Sequence, residues 1–271
     1  MTILHALVDG ALRTSDTATI SVTDEGLLRG DGVFEVLRLY GGRPYEVEEH
    51  LVRMARSAKG LRLPLDLAGF RLDIAAAETL ADGNDALLRL VATRGGRRIA
   101  LLEPPPALQP FVRLATVSFA PSLVLDGFKT LSYAANVLAN RQAVERGADE
   151  ALFVRTDGTV LEGPNFAVFF RLDGDDRLVT PPLDLGILDS LTRRRIMTLV
   201  PSSTVLITRA QFTAVQEAFV VSTVREVWPV QAIDDVVFAP TPGRLTAVAH
   251  AAFRRQIGES DAASPKQVAL R

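Results

Sequence analysis

A mixed α/β protein built in two parts is the fold class this sequence predicts. Three observations carry that reading. Stretches of alternating apolar residues are interleaved with stretches of helical periodicity, so strands and helices share one chain. The strand-like stretches come in pairs between single helices, without the regular strand-helix-strand repeat of a doubly wound sheet. The proline-rich "LEPPPALQP" interrupts the pattern near the middle, where a surface loop between two portions fits. The 271 residues suit one large domain or two medium ones, and 48% hydrophobic content is ample for a core. We place the boundary just beyond the prolines, with a smaller N-terminal portion over 1–118 and a larger C-terminal one over 119–271.

"HALVDG" and "TISVTD" read as two short strands about a turn, and "GVFEVLRLYGGRPY" as a longer pair turning at Gly41-Gly42. "EVEEHLVRMARSAKGL" spaces Val47, Leu51, Met54, Ala58 and Leu61 on one helical face, with acids early and bases late, as the helix dipole favours. A second helix is predicted from about Leu67 to Leu80, followed by "ALLRLVATRGG", a strand entering a glycine turn, and "FVRLATVSFAP", another strand. Ser132 to Gly147 is helical in character. "EALFVRTDGTVLEG" reads as a hairpin turning at Asp157-Gly158, and "NFAVFFRLDGDDRLVTPP" as a second. A short helix in "SLTRRRIMTLV", two strands in "EAFVVSTVREVWPVQAIDDVVF", a terminal amphipathic helix in "GRLTAVAHAAFRRQIGE" and a loose final dozen residues complete the chain.

Composition removes several function classes. A net charge of -2 leaves no basic footprint for nucleic acid or an anionic membrane, so small molecules are the expected partners. No cysteine means no disulfide, thiol nucleophile or cysteine-held metal, which suits a reducing compartment. His5, His50 and His250 lie far apart without the HExxH spacing, so zinc hydrolysis and a Ser-His-Asp relay find no support. The first residues lack a signal-peptide pattern and no apolar run is long enough to span a bilayer; a cytoplasmic location is the expectation. "RGDGVFE" has neither the GxGxxG spacing nor the Lys-Ser/Thr of a phosphate loop; its glycines suit a strand passing close to a pocket, with Phe34 and Glu35 beside it.

One residue type stands out. The only lysines are Lys59, Lys129 and Lys266, against a large majority of arginine. Lys59 falls on the amphipathic helix and Lys266 in the tail, but Lys129 lies in the apolar or small-residue run "LDGFKTLSYAANVLAN". A lysine at a strand end ordinarily snorkels to solvent. Unlike arginine, it can also lose its proton when desolvated and attack a carbonyl to form a Schiff base.

The residues around it resemble a known family. "FKTLSYAANVLANRQAVERGADEALFVRTDGTVLEGPNFAVFF" is similar to the core of the class IV, pyridoxal-phosphate-dependent aminotransferases of fold type IV. "TDEGLLRGDGVFEVLRLYGGRPYEVEEHLVRMARSA", "LGILDSLTRRRI" and "FVVSTVREVWPV" match other segments of that family in order, to about residue 258. The resemblance implies a two-domain enzyme with pyridoxal 5'-phosphate in the interdomain cleft, acting as a homodimer with a shared active site. It assigns Lys129 as the catalytic lysine that holds the cofactor and shuttles a proton. Glu162 falls where a carboxylate faces the pyridine nitrogen and keeps it protonated, making the ring an electron sink. Arg53 corresponds to the phosphate-binding arginine. The amides of Leu191 and Thr192, opening a helix, suit an anion, and Ser222 and Thr223 match a second phosphate-contacting pair. Leu188 falls where an aliphatic side chain packs on the ring.

For the substrate, Arg97 or Arg98 corresponds to an arginine that D-amino-acid transaminases send across the dimer interface to the substrate carboxylate. Phe34 stands where those enzymes have a tyrosine, and Ser132 replaces an asparagine common in several subfamilies. The resemblance thus implies ping-pong exchange between a D-amino acid and a 2-oxo acid. An aminodeoxychorismate lyase, an (R)-amine transaminase and a branched-chain transaminase are the alternatives within the family; a cofactor-free binding protein is the alternative outside it. The branched-chain reading lacks its tyrosine-rich substrate signature here.

Overall fold

The computed structural model describes residues 3–263 except 15 and 175. Among the described residues, two sheets organise the molecule. In the first, β1 (His5–Val8) and β2 (Ala11–Arg13) form a hairpin; α1 (Glu25–Arg29) precedes β3 (Gly32–Tyr40), which turns through Gly41 and Gly42 into β4 (Arg43–Pro44). Next in the chain come the helices α2 (Val47–Gly60) and α3 (Leu67–Ala81), then β5 (Ala86–Thr93) and β6 (Arg98–Glu103). The six strands run in the order β2-β1-β6-β5-β3-β4.

Pleat alternation decides what this sheet does. On β3, Leu37 and Leu39 pack with Leu88 and Leu90 of β5 beneath Leu51, Met54 and Ala58 of α2 and Phe70 and Ile74 of α3. Side chains between them, Phe34 and Val36 on β3 and Leu87 and Arg89 on β5, face the other way and line a cavity. One face of the sheet is therefore core and the other is site.

The second sheet is built from β7 (Val112–Ser118), β8 (Glu150–Val154), β9 (Ala167–Leu172), β10 (Leu178–Thr180), β11 (Ser202–Thr204), β12 (Val215–Ser222), β13 (Glu226–Ile233) and the short β14 (Val236–Val237). Its order is β11-β10-β9-β12-β13-β7-β8, with β14 on β13. Phe169 and Phe219 pack against Ile196 of α5 (Leu191–Leu199) and Ala249 and Phe253 of α6 (Arg244–Ala263), while Val168, Phe170 and Val220 pack on the opposite side with Ile207 and Phe212. The remaining helix, α4 (Ala134–Glu145), buries Ala139 and Ala143 against β7 and β8. No described helix is long and apolar enough to cross a membrane.

The structure corrects the sequence reading at several places. "TISVTD" forms no strand: the chain already reverses at Asp9 and Gly10, both at positive φ, and the return strand is Ala11–Arg13. The next element is instead α1, whose cap Asp24 accepts from the Gly26 amide at 2.8 Å and from Thr93 Oγ1 at 2.8 Å. With five residues, α1 is too short to show periodicity. "RIALLE", to which the sequence reading gives no element, is β6, paired along β5 and β1. The strand Val112–Ser118, assigned to the N-terminal portion, hydrogen-bonds to β13 and β8 of the second sheet, so sheet membership changes between Glu103 and Val112, not at 118. The terminal helix continues to Ala263, into the stretch expected to be a loose tail; residues 264–271 lie outside the described residues.

Leu37 is fully buried at the centre of the first core. Leu37→Ala should lower the unfolding free energy by about 2–5 kcal/mol, read as a lower urea midpoint with little change in the slope of the transition.

Candidate active site

Lys129 reaches the site by leaving its own sheet. The segment between β7 and α4 crosses to β3: the Phe34 amide donates to the Lys129 carbonyl at 3.2 Å, the Leu131 amide to the Gly32 carbonyl at 2.9 Å, and Thr130 bridges Val33. On the other side, the Lys129 amide donates at 3.0 Å to Oγ of Ser57, whose hydroxyl in turn donates to the Arg53 carbonyl at 3.1 Å. Gly32 permits this approach, since a Cβ there would stand 2.5 Å from both the Ala92 carbonyl oxygen and Leu131 Cδ1. This is the close backbone passage that the glycines of "RGDG" suggest.

The Lys129 amine sits 4.1 Å above the centroid of the Phe34 ring, and Phe34 meets Tyr133 edge-to-face at 5.6 Å. A cation over such a ring gains about 0.5–2 kcal/mol. Desolvation by burial pushes the amine down to about 8; Arg53 and Arg89 act in the same direction, while Glu35 and Glu162 oppose them.

Glu162 lies on the arm that returns from β8, its carbonyl accepting from the Phe153 amide at 2.8 Å, and lines the same cavity. Burial raises its carboxyl to about 8, against the Leu188 amide, which donates to Oε1 at 3.0 Å, and the charges of Lys129, Arg53 and Arg193. Arg53, on the buried face of α2, places Nε and Nη2 at 2.7 Å from the two oxygens of Glu35 and donates from Nη1 to the Asp189 carbonyl at 3.2 Å. His50 Nδ1 lies 2.8 Å from Glu35 Oε2. Burial alone would raise Glu35, but Arg53 and His50 hold it far below the usual carboxylate range.

One cavity of about 680 Å³ is lined by Lys129, Glu162, Arg53, Leu188, Phe34, Ser222 and Thr223. Ser190 also lines it; its hydroxyl accepts from the Arg193 amide at 3.2 Å and caps α5, whose first residues are the buried Leu191 and Thr192. Ser222 caps the turn from β12 to β13 by accepting from the Arg225 amide at 3.1 Å. The two substrate arginines named from sequence stand elsewhere on this chain. Arg97 pairs with Asp9, and Arg98 pairs with Asp66 and, from Nε at 2.6 Å, with Asp73.

Sequence reasoning missed Arg89, Glu103, Tyr133 and Arg225, all of which line the cavity. Arg89 could have been found from the alternation of "ALLRLVAT", which puts it opposite Leu88 and Leu90. Glu103 could not, because the sequence pattern does not reveal β6 itself.

Comparisons with known proteins give the family and the fold. A family model described as amino-transferase class IV matches residues 32–233. A bifunctional aminodeoxychorismate lyase / D-amino acid transaminase of Mycobacterium tuberculosis is 33% identical over 217 residues, covering 70% of this chain and 75% of that protein. A hypothetical aminotransferase of Mycobacterium tuberculosis, solved in its PLP-bound form, superposes with a TM-score of 0.83 at 27% identity, covering 93% of this chain and 99% of that one. The branched-chain aminotransferase of Thermoproteus uzoniensis with norvaline also gives 0.83, at 29% identity and 94% coverage of each chain. The chain belongs to the class IV aminotransferases, a family dependent on pyridoxal phosphate, and has the fold-type IV architecture of those enzymes.

Proposed function

We propose that this protein is a transaminase exchanging an amino group between a D-amino acid and a 2-oxo acid, with pyridoxal 5'-phosphate held in the cleft between the two sheets. The observation that carries the reading is a desolvated amine, Lys129, and a buried carboxylate, Glu162, lining one cavity. The donor set suits the cofactor. A carboxyl raised by burial is relieved by a cationic neighbour, and a protonated pyridine nitrogen is such a neighbour. When bound, the cofactor supplies an aldehyde for the amine and a ring that takes up the electron pair left at Cα.

The chain's residues supply the rest. With its amine near 8, Lys129 carries a useful neutral fraction at neutral pH and can accept a proton and return it. Phe34 fixes the amine against one wall, and Glu162 favours the protonated ring nitrogen. Arg53, the α5 entrance at Leu191 and Thr192, and the Ser222-Thr223 turn offer a cation, helix amides and hydroxyls to the phosphate. Leu188 packs on the ring. Phe34 offers no hydroxyl to a substrate carboxylate. Arg97 and Arg98, tied on this chain to Asp9, Asp66 and Asp73, serve a substrate only from the partner subunit of a homodimer.

Kinship to a bifunctional lyase and transaminase keeps aminodeoxychorismate lyase as the second reading. D-alanine with a neutral 2-oxo acid should yield pyruvate and the new amino acid; pyruvate released only from aminodeoxychorismate would overturn the transaminase reading. Lys129→Ala should abolish both turnover and the visible absorbance band of bound cofactor, whereas Lys59→Ala, on the exposed face of α2, should keep both. A colourless wild-type preparation after cofactor is added would favour the binding protein instead.

Glu162 also makes a pH prediction. Its folded pKa is raised from 4.5 to about 8, so between those values the folded state holds a proton that the unfolded state has lost, and stability falls as pH rises. In protein freed of cofactor, Glu162→Gln should therefore gain melting temperature relative to wild type as pH rises from about 5 to about 8. A difference that stays flat with pH would contradict the buried carboxylate.

A further inference from the structure

We propose that Glu103 is a specificity-determining residue: by occupying Arg89 it makes the cavity favour substrates with uncharged apolar side chains over those carrying a second carboxylate. The proposal rests on the transaminase reading and adds the substrate class. Arg89 stands in register with Val36 on the cavity face of the first sheet, between residues whose side chains go to the helical core. Glu103 pairs in register with Leu87, one position diagonal to Arg89, and grips its guanidinium with both oxygens, Nε to Oε1 at 2.7 Å and Nη2 to Oε2 at 3.2 Å. Glu103 is only 6% exposed. Two parallel charge-assisted bonds in such a place are strong and hold both groups in one geometry.

The other arginines lining the cavity are matched too. Arg53 is gripped by Glu35, and Arg225 pairs with Glu150. A second carboxylate entering beside β5 finds the Nε–Nη2 edge of the guanidinium already taken and, next to it, a buried negative charge. To bind, it must displace Glu103, which is held at high effective concentration by the strand beside it, or accept like-charge repulsion. Phe34, Val36, Leu87, Phe119 and Phe153 line the same cavity, so an apolar side chain meets matching surface.

The test uses the cofactor-loaded enzyme and two five-carbon acceptors differing at the far end, 2-oxoglutarate and 2-oxopentanoate. Wild type should favour 2-oxopentanoate, and Glu103→Gln, which keeps shape and removes charge, should raise the ratio of kcat/KM for 2-oxoglutarate to that for 2-oxopentanoate by about tenfold or more. The double variant Arg89→Met with Glu103→Met should show no such gain, because the freed guanidinium is gone. The same ratio, read by calorimetry as binding of the unreactive acids glutarate and pentanoate, should move in parallel. A wild type that prefers 2-oxoglutarate, or a Glu103→Gln ratio that stays level or falls in both readouts, would overturn the proposal. Failure to transaminate at all counts against the function proposed above, while the calorimetric ratio still decides the role of Glu103.

Discussion

The segment that carries Lys129 across to β3 makes the contact on which the rest of the site depends. By sequence this lysine belongs with the second sheet, yet its amide and carbonyl are tied to Ser57 of α2 and Phe34 of β3. Glu162, Leu188 and the Ser222 turn are presented by the other half of the molecule. The amine is thus held by one sheet and faces groups held by the other. Backbone hydrogen bonds fix the base of the side chain and the Phe34 ring lies under its amine, which positions a residue that must bond, release and carry a proton.

That placement determines the electrostatics. A lysine in water would be fully charged at neutral pH; the cavity lowers its amine to about 8 mainly by removing water. The same desolvation pushes Glu162 the opposite way, also to about 8. Glu35 shows what pairing does instead: equally deprived of water, it stays ionised because Arg53 and His50 surround it. The cavity therefore keeps its reactive groups poorly paired and its arginines well paired. That division explains how several guanidiniums can line a small apolar space without making it a general anion trap.

Most of the framework was legible in the sequence, for physical reasons that can be named. The α2 face of Val47, Leu51, Met54 and Ala58 is a strong periodic signal, and the structure buries it against β3 and β5. The Gly41-Gly42 and Asp157-Gly158 turns arise from residues that accept positive φ or bond their own backbone. Short elements were not legible: α1 is fixed by the Asp24 cap and by Thr93, a contact 69 residues away, and β2 lies at a sheet edge. Lys129 stood out by its apolar setting and took its role, as Glu162 did, from family resemblance, and the structure lines one cavity with both. Arg89 was within reach of the alternation in "ALLRLVAT", but Glu103 and its pairing with Arg89 depend on strand register, which neither periodicity nor motif expresses.

The central claim is that one buried amine, and no other, bonds the cofactor. Borohydride reduction of the cofactor-loaded protein, followed by peptide mapping, tests it most directly, because the chain offers only three lysines. The account predicts the phosphopyridoxyl label on Lys129 alone. Label on Lys59 or Lys266 in comparable amount, or none on Lys129, would contradict it.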